Sequence, residues 1–285
     1  ISLNSSKLYK KSQANFKSEE YEMKQEFYLS KDSTMVPIFI AYKKGISFDM
    51  ERPTLLYGYG GFNISIKPYF NKSNIILLES GGVYASANIR GGSEYGQEWH
   101  EGGMLLNKQN VFDDFIYAAK YLFREGISSP EFLAIRGGSN GGLLVGAVVN
   151  QRPDLFRVAF PEVGVMDMLR YEKFTIGHAW AVEYGTVKNK IFFENLIKYS
   201  PLHNIRKDLE YPSIFIYTAD HDDRVVPAHS FKYAATLQKL QKKGNPKLIR
   251  VGKSAGHGAG KPTNKIIVEA ADKWAFMFNE MGIKY

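Results

Sequence analysis

The sequence predicts an α/β fold: a mostly parallel central sheet with helices on both faces, preceded by a β-hairpin. Two observations support this prediction. From residue 53 onward, short and wholly apolar segments alternate with segments that have apolar residues at helical spacing. Strands that are apolar on both sides are typical of a covered parallel sheet. Before residue 53, two segments alternate apolar and polar residues, which is typical of an antiparallel pair.

Composition limits the class of protein. The chain has 285 residues, of which 44% are hydrophobic and 23% charged, and these values are typical of a folded globular protein. It contains no cysteine, which excludes disulfides, thiolate metal sites and a cysteine nucleophile and fits a reducing compartment. No apolar run could span a bilayer, and the N-terminus lacks the apolar core of a signal peptide. We therefore expect a cytoplasmic protein that does not contact membranes.

The net charge of +8 raises the alternative of a nucleic-acid partner. The basic residues are, however, spread along the chain, and the densest group, at 239–247, falls where a helix is predicted to end. We interpret this group as a solvated surface and expect no nucleic-acid site.

The N-terminal elements differ from the rest of the chain. Residues 1–20 are polar and irregular, and we expect a linker there to a region upstream, with the main domain at 21–285. The alternating segments 21–29 and 35–42 predict the hairpin, which suits an antiparallel edge of a larger sheet.

Regular elements are predicted along the remaining chain. Further strands are expected at 54–57, 83–89, 133–135, 158–163, 213–218 and 248–251. Helices are expected at 111–124, 143–149, 230–242 and 266–282, the last with Val268, Ala271, Trp274 and Phe278 on one buried face. Residues 75–79 form a short apolar segment. The aromatic-rich stretch 165–201 has no simple periodicity, and we expect it to lie over the edge of the sheet that carries the site.

The segment 137–141, with the sequence GGSNG, is a G-x-S-x-G motif between a predicted strand and a predicted helix. Such a turn forces Ser139 into a strained backbone conformation, and Gly137 and Gly141 allow the strand and the helix to approach closely. The turn would present the Ser139 hydroxyl beside the N–H groups at the helix N-terminus. Because a glycine-rich loop could produce the same letters, this prediction depends on an acid and a histidine farther along.

A base is needed because a serine hydroxyl is a poor nucleophile. In α/β-hydrolases the partners follow in the order serine, acid, histidine, and this order leaves His221, His229 and His257. His257 lies in the glycine-rich loop 256–260, between the last strand and the last helix, and we predict that it is the base. His221 and His229 lie in or near the acid-bearing loop and are expected to be structural neighbours.

The acid is predicted in the segment 218–227, which follows the strand 213–218. Asp220, Asp222 and Asp223 all qualify, and the residues alone leave the choice among them open. The acid must accept the Nδ1–H of the histidine and so fix its tautomer.

Two donors are predicted for an oxyanion hole. The first is the backbone N–H of Asn140, and the second is the hydroxyl of Tyr59, in a glycine-rich loop that follows an earlier strand.

Taken together, these segments resemble those of the prolyl oligopeptidases from about residue 21 to the C-terminus. The resemblance is carried by 57–63 (YGYGGFN), 87–92 (ANIRGG), 137–142 (GGSNGG), 163–168 (VGVMDM), 175–180 (TIGHAW), 219–227 (ADHDDRVVP) and 256–262 (GHGAGKP). It implies an α/β-hydrolase fold and a catalytic triad of Ser139, Asp222 and His257. It also implies that Tyr59 and Asn140 form the oxyanion hole.

The resemblance further implies cleavage after proline in short peptides. Trp180 would stack on the proline ring, and Arg224 would hydrogen-bond a peptide carbonyl. The rest of the pocket would be lined by Phe62, Val165, Ile176, Tyr184 and Val225. Without the resemblance, Trp180 and Tyr184 would be interpreted as core residues. Family members also carry an upstream β-propeller, which we expect in the same full-length protein, and no metal or organic cofactor is expected.

Three different functions also fit these residues in part. The same triad would serve a carboxylesterase or lipase. An oligopeptidase specific for basic residues would need acidic residues in its pocket, and the aromatic segment 175–184 speaks against it. The third possibility is a catalytically silent hydrolase fold used for protein interaction.

Overall fold

The computed structural model of the chain describes residues 6–10, 16–241, 243–258 and 260–284. Within them the strands are β1 (Tyr21–Leu29), β2 (Met35–Lys43), β3 (Thr54–Tyr57), β4 (Val83–Ala87), β5 (Leu133–Gly138), β6 (Val158–Glu162), β7 (Ser213–Ala219) and β8 (Lys247–Gly252). They form one sheet in the order β1-β2-β4-β3-β5-β6-β7-β8. The β1–β2 and β2–β4 pairs are antiparallel, and the five other pairs are parallel. The mostly parallel sheet with a hairpin at one edge is thereby confirmed.

The helices lie between the strands along the chain. They are α1 (Ile75–Glu79), α2 (Gln97–Glu101), α3 (Lys108–Arg124), α4 (Asn140–Gln151), α5 (Ala181–Tyr184), α6 (Lys190–Tyr199), α7 (Ala228–Leu240) and α8 (Thr263–Met281). The predicted helices match α3, α4, α7 and α8 with ends shifted by a few residues, and Lys242 lies outside the described residues. The apolar segment 75–79 is helix α1. Across the described ranges, no helix combines the length and apolar character needed to cross a membrane.

The core occupies both faces of the sheet because successive strand residues point in opposite directions. Leu56 and Ile135 face a large cluster that contains the buried side chains of α3 and α4. Leu55 and Ala134, their direct neighbours in sequence, face a smaller cluster with Trp274 of α8. Strands β3 to β7 are therefore covered on both sides, as their apolar composition predicts, whereas the edge strands β1 and β8 are partly exposed.

The buried face of α8 differs from the prediction. Trp274 and Phe278 are buried, but Val268 is 52% exposed and Ala271 is exposed as well. The buried stripe is centred on Trp274 and Met281. At about 100° per residue, Val268 lies about a third of a turn away from that stripe. The apolar residues of the first turns therefore face solvent rather than the sheet.

The predicted linker 1–20 falls partly outside the described residues, because 1–5 and 11–15 are not described. Residues 6–10 have no regular structure, and a 3₁₀ turn at Ser18–Glu20 leads into β1. The ring of Phe16 packs against Tyr21 and Phe70, at centroid distances of 4.6 and 5.0 Å. Residue 16 thus already contacts the main domain.

The stretch 165–201 consists of short helices that follow β6. Two 3₁₀ helices, Tyr171–Lys173 and Thr175–Trp180, precede α5 and α6. Since a 3₁₀ helix has three residues per turn and an α-helix 3.6, no single period describes the segment.

Candidate active site

Ser139 lies at the sharp turn between β5 and α4. Its backbone has φ 60° and ψ −116°, a conformation that few residues other than glycine adopt. A Cβ on Gly137 would lie 2.3 Å from the carbonyl oxygen of Gly141, and one on Gly141 would lie 2.7 Å from the carbonyl oxygen of Gly58. The glycines at both flanks are therefore required by close backbone contacts, and the turn is a fixed structure rather than a flexible loop.

Asp222 and His257 come together from two neighbouring loops. Asp222 follows β7, His257 follows β8, and Nδ1 of the histidine lies 2.7 Å from Oδ2 of the aspartate. The other carboxylate oxygen of Asp222 accepts the N–H groups of Arg224 and Val225 at 3.0 and 2.9 Å. Because the Asp222 side chain is fully buried and held by these bonds, it fixes the orientation of the His257 ring.

The other two aspartates of this loop have different surroundings. Asp220 accepts the backbone N–H of Ala255 and pairs with the Nδ1 atom of His221 at 2.7 Å. The hydrogen bond with His221 is the main cause that lowers the pKa of Asp220 below its ordinary value. Asp223 is exposed to solvent. Among these three carboxylates of the described chain, only that of Asp222 pairs with the histidine of the glycine-rich loop.

Tyr59 lies in the loop that follows β3, and its side chain borders the same cavity as Ser139. Burial raises the pKa of Tyr59 to about 12, with a smaller contribution from the charge of Glu183. The phenol therefore keeps its proton at neutral pH and can act as a donor. Asn140 is the first residue of α4, where backbone N–H groups have no acceptor within the helix. Its side-chain Nδ2 donates to the carbonyl oxygen of Tyr59 at 2.6 Å.

An aromatic cavity of about 250 Å³ opens beside Ser139. The ring of Phe62 meets those of Trp180 and Tyr184 edge-on, at centroid distances of 6.5 and 5.5 Å. Tyr171 stacks behind Trp180, with an angle of 9° between the ring planes. The residues that line the cavity are Tyr59, Phe62, Ile64, Ser139, Val165, Trp180, Tyr184 and Arg224.

Not every predicted site residue lines this cavity. Ile176 is 45% exposed and Val225 is buried within the acid loop, and neither is among the lining residues. His257 also lies outside that set, and its placement is defined by Asp222. Conversely, sequence reasoning missed Ile64, which lines the cavity and is 46% exposed. Its apolar side chain in a glycine-rich loop, two residues after Phe62, was the available signal.

No metal-binding group was found in the described part of the chain, where no three His, Cys, Asp or Glu side chains converge suitably.

Comparison with known proteins identifies relatives over the whole chain. Residues 68–284 match the model of the prolyl oligopeptidase family. The chain is 52% identical to a prolyl endopeptidase of Elizabethkingia meningoseptica over all 285 residues, which are 40% of that relative. It is 54% identical to a prolyl endopeptidase of Dictyostelium discoideum over 275 residues, covering 94% of this chain and 36% of the relative.

Solved structures agree with these relatives. The chain superposes on a post-proline cleaving enzyme from Rickettsia typhi with a TM-score of 0.93 and 37% identity, covering 98% of this chain and 40% of the other. The α/β-hydrolase fold is thereby confirmed. The chain spans about 40% of the length of the relatives that it matches.

Proposed function

Because this chain belongs to the prolyl oligopeptidase family, we propose that it is the catalytic part of a serine peptidase that cleaves peptide bonds on the C-terminal side of proline in short peptides. One observation carries the proposal. Ser139, on a turn that glycine contacts hold rigid, opens directly into a small cavity walled by Phe62, Trp180 and Tyr184. A proline ring is rigid, flat and apolar, so an aromatic slot of this kind suits it.

In the proposed mechanism, the Ser139 oxygen attacks the scissile carbonyl carbon while His257 takes the hydroxyl proton. Asp222 stabilises the imidazolium that forms. The Tyr59 hydroxyl and the Asn140 N–H donate to the oxyanion of the tetrahedral intermediate. His257 returns the proton to the leaving amine as the C–N bond breaks, which leaves an acyl ester on Ser139.

Water completes the proposed cycle. His257 takes a proton from a water molecule, whose oxygen attacks the acyl carbon. The ester bond breaks, the proton returns to the Ser139 oxygen, and a peptide ending in proline leaves. No electron transfer is involved, and the mechanism needs no cofactor.

Substrate alignment is proposed for the residues around the cavity. Trp180 stacks on the proline, and Arg224, which lines the cavity beside Tyr59, donates to a peptide carbonyl upstream of the cleaved bond. The resemblance also gives Ile176 and Val225 a place in the pocket. The structure favours a lesser role for these two residues, since neither lines the cavity.

Several wider properties belong to the proposal as well. By its resemblance to the family, the full-length protein carries a β-propeller that limits entry to short, proline-containing peptides. We also propose a cytoplasmic location. Cell fractionation tests the location, and cleavage of a folded proline-containing protein compared with a decapeptide tests the size limit.

A reporter substrate with Gly-Pro before an amide-linked fluorophore tests the central proposal in the full-length protein. We expect turnover by the wild type and none by Ser139→Ala. The control is Ser80→Ala, at the C-cap of α1, which should leave the turnover unchanged. A matched reporter with Arg in place of Pro should be cleaved poorly, because the described residues that line the cavity include an arginine and no carboxylate. Equal turnover of the two reporters would contradict the proposed specificity.

Two further measurements distinguish the peptidase from an esterase and from a catalytically silent fold. An esterase would hydrolyse a simple acyl ester much faster than the prolyl amide, so the ratio of the two rates separates esterase from peptidase. A catalytically silent fold would not react with a fluorophosphonate, so labelling of Ser139 would exclude it.

A further inference from the structure

A buried cluster of charged side chains lies behind the cavity, and the proposed mechanism gives it no role. Lys108 at the start of α3 is 1% exposed, and Glu183 in α5 is 2% exposed. Nζ of Lys108 lies 3.3 Å from Oε1 of Glu183. The second carboxylate oxygen of Glu183 lies 2.9 Å from Nε2 of His100. Burial lowers the pKa of Lys108, and the charge of Glu183 opposes that shift.

The cluster is bonded to the loop that carries Tyr59. Nζ of Lys108 donates to the carbonyl oxygen of Gly60 at 2.8 Å. The preceding carbonyl, that of Tyr59, accepts from the Asn140 side chain at 2.6 Å. Two successive carbonyls of the loop are thus held by side chains from two different helices, α3 and α4.

This loop needs such support because its backbone is strained. Phe62 and Asn63 both have a positive φ of 57°, whereas Gly60, at 64°, adopts this region without strain. Residues other than glycine adopt this region at a cost, and they keep it only where the surroundings hold them there. The side-chain donors to the carbonyls of Tyr59 and Gly60 supply such surroundings.

The cluster also joins the loop to the wall of the cavity. Glu183 directly precedes Tyr184, whose hydroxyl donates to the side-chain oxygen of Asn140 at 2.9 Å. Gly61 passes between the two side chains, since a Cβ there would lie 2.6 Å from Nδ2 of Asn140 and 2.9 Å from Oε1 of Glu183. The loop, the turn helix and the cavity wall therefore share one network of bonds.

Stability alone explains the cluster poorly. A buried ion pair often contributes no more than an apolar pair of the same volume, because desolvation of both charges offsets their attraction. A charge-assisted bond to a loop carbonyl, by contrast, fixes the position of that carbonyl.

We propose that Lys108 and Glu183 are positioning residues that hold the 58–63 loop, so that the Tyr59 hydroxyl stays in place to donate to the oxyanion at Ser139. This inference rests on the proposed function. A purely structural role would lower kcat whether or not the Tyr59 hydroxyl is present. A positioning role lowers kcat only when that hydroxyl is present.

The test is a double-mutant cycle in the full-length protein. The pair Lys108→Met and Glu183→Gln removes both charges of the ion pair together at nearly constant volume, and the amide that replaces the Glu183 carboxylate can still bond to His100. We expect a fall in kcat of about 10- to 100-fold with KM nearly unchanged, because a small misplacement of a catalytic group costs that much. In a Tyr59→Phe background, the same pair should lower kcat by less than about threefold, because the hydroxyl is already missing.

A matched control is the pair Lys43→Met and Glu79→Gln, an ion pair at 2.6 Å between β2 and α1. It makes the same two chemical changes away from the site and should leave kcat unchanged in both backgrounds. Equal losses from the Lys108 and Glu183 pair with and without the Tyr59 hydroxyl would overturn the inference. So would wild-type kcat in the variant.

Two safeguards keep the result decisive. If the double variant does not fold, Lys108→Met alone is measured in both backgrounds, because Glu183 then keeps its contact with His100, and the inference again requires a loss that depends on Tyr59. The rate of Ser139 labelling by a fluorophosphonate is measured in parallel. If no prolyl reporter is cleaved by the wild type, the proposed function fails, while the labelling rates still decide the inference.

Discussion

The Tyr59 hydroxyl has to stay protonated if it is to donate to an oxyanion. Burial raises its pKa to about 12, so it keeps the proton across the working range of pH. We predict that Tyr59→Phe lowers kcat by roughly 100- to 1000-fold, the usual loss for one oxyanion donor. KM and the unfolding temperature should change little, since the ring remains. Steady-state kinetics on the prolyl reporter would measure both constants.

Tyr69→Phe is the control for this prediction. Tyr69 is 66% exposed, and the substitution removes the same hydroxyl group without touching the cavity beside Ser139. A Tyr59→Phe variant as active as Tyr69→Phe would remove Tyr59 from the proposed mechanism.

Because His229 is buried, the free energy of unfolding should depend on pH. Burial lowers its pKa to about 4, while the charge of Asp167 opposes the shift and that of Lys232 adds to it. An unfolded histidine titrates near 6.5, so between pH 6.5 and 4 the unfolded state binds more protons and the folded state loses stability as pH falls. We expect this residue alone to lower the unfolding free energy by about 2 kcal/mol between pH 7 and pH 5.

Urea denaturation at the two pH values would measure the effect. In His229→Gln the drop between pH 7 and pH 5 should be smaller than in the wild type by that amount. His178→Gln, which replaces an exposed histidine, should keep the wild-type drop. The same pH dependence in all three proteins would exclude His229 as its source.

The residues alone could not identify the catalytic acid among the three aspartates of the loop after β7. Asp220, Asp222 and Asp223 have the same chemistry within four positions, and only the backbone conformation decides which side chain turns inward. The structure buries Asp222 against His257 and leaves Asp223 in solvent. The resemblance to the family selected the same residue because it compares whole motifs.

The turn between β5 and α4 permits a test on neighbouring glycines. A Cβ on Gly137 would meet the backbone of Gly141 at 2.3 Å, whereas a Cβ on Gly138 would find its nearest atom at 3.9 Å. Gly137→Ala should therefore destabilise the protein by roughly 2 kcal/mol, or about 5 °C in unfolding temperature. Gly138→Ala is the control and should have little effect. Equal unfolding temperatures, measured by calorimetry, would contradict the contact argument.

The secondary structure was predictable where one residue period persists. Strands β3 to β7 are apolar on both sides, and α3 carries apolar side chains at helical spacing, so the sequence predicts both. The predicted buried face was wrong for the first turns of α8, because Val268 and Ala271 are apolar yet face solvent. Composition reveals burial only when the neighbouring surface is known. No secondary structure could be predicted for the stretch 165–201, because its backbone changes between 3₁₀ and α geometry within a few residues.

The order of the strands in the sheet could not be predicted from the sequence. Strand β4 lies between β2 and β3, so the hairpin joins the sheet through a strand that follows it by some 40 residues. Apolar patterns show that a strand is buried, but they do not say which strand it pairs with. Because β3, β5, β7 and β8 run parallel, the loops that follow them share one edge of the sheet, and this brings Tyr59, Ser139, Asp222 and His257 to the same side.

The attachment of the hairpin yields one more prediction. Asp114 of α3 is fully buried, and its carboxylate accepts hydrogen bonds from the backbone N–H and the guanidinium of Arg90. The same guanidinium also donates to Asp32 in the hairpin turn. Asp114→Asn leaves Arg90 with a buried charge that is only partly compensated, and should cost roughly 3 kcal/mol. The neighbouring Asp113→Asn loses only a 3.4 Å pair with the exposed Lys31 and should cost less than about 1 kcal/mol. Urea denaturation of both variants gives the comparison, and equal losses would refute it.

The backbone of Ser139 also affects which nucleophile this turn can carry. With φ at 60°, the position disfavours threonine, because a branched Cβ is crowded by its own backbone in that region. A cysteine has the same unbranched Cβ as serine and would fit. Chemically, threonine and serine are the closer pair, yet this backbone accommodates a thiol with less strain than a hydroxyl on a branched Cβ. The shape of one turn thus bears on which nucleophile the site carries most easily.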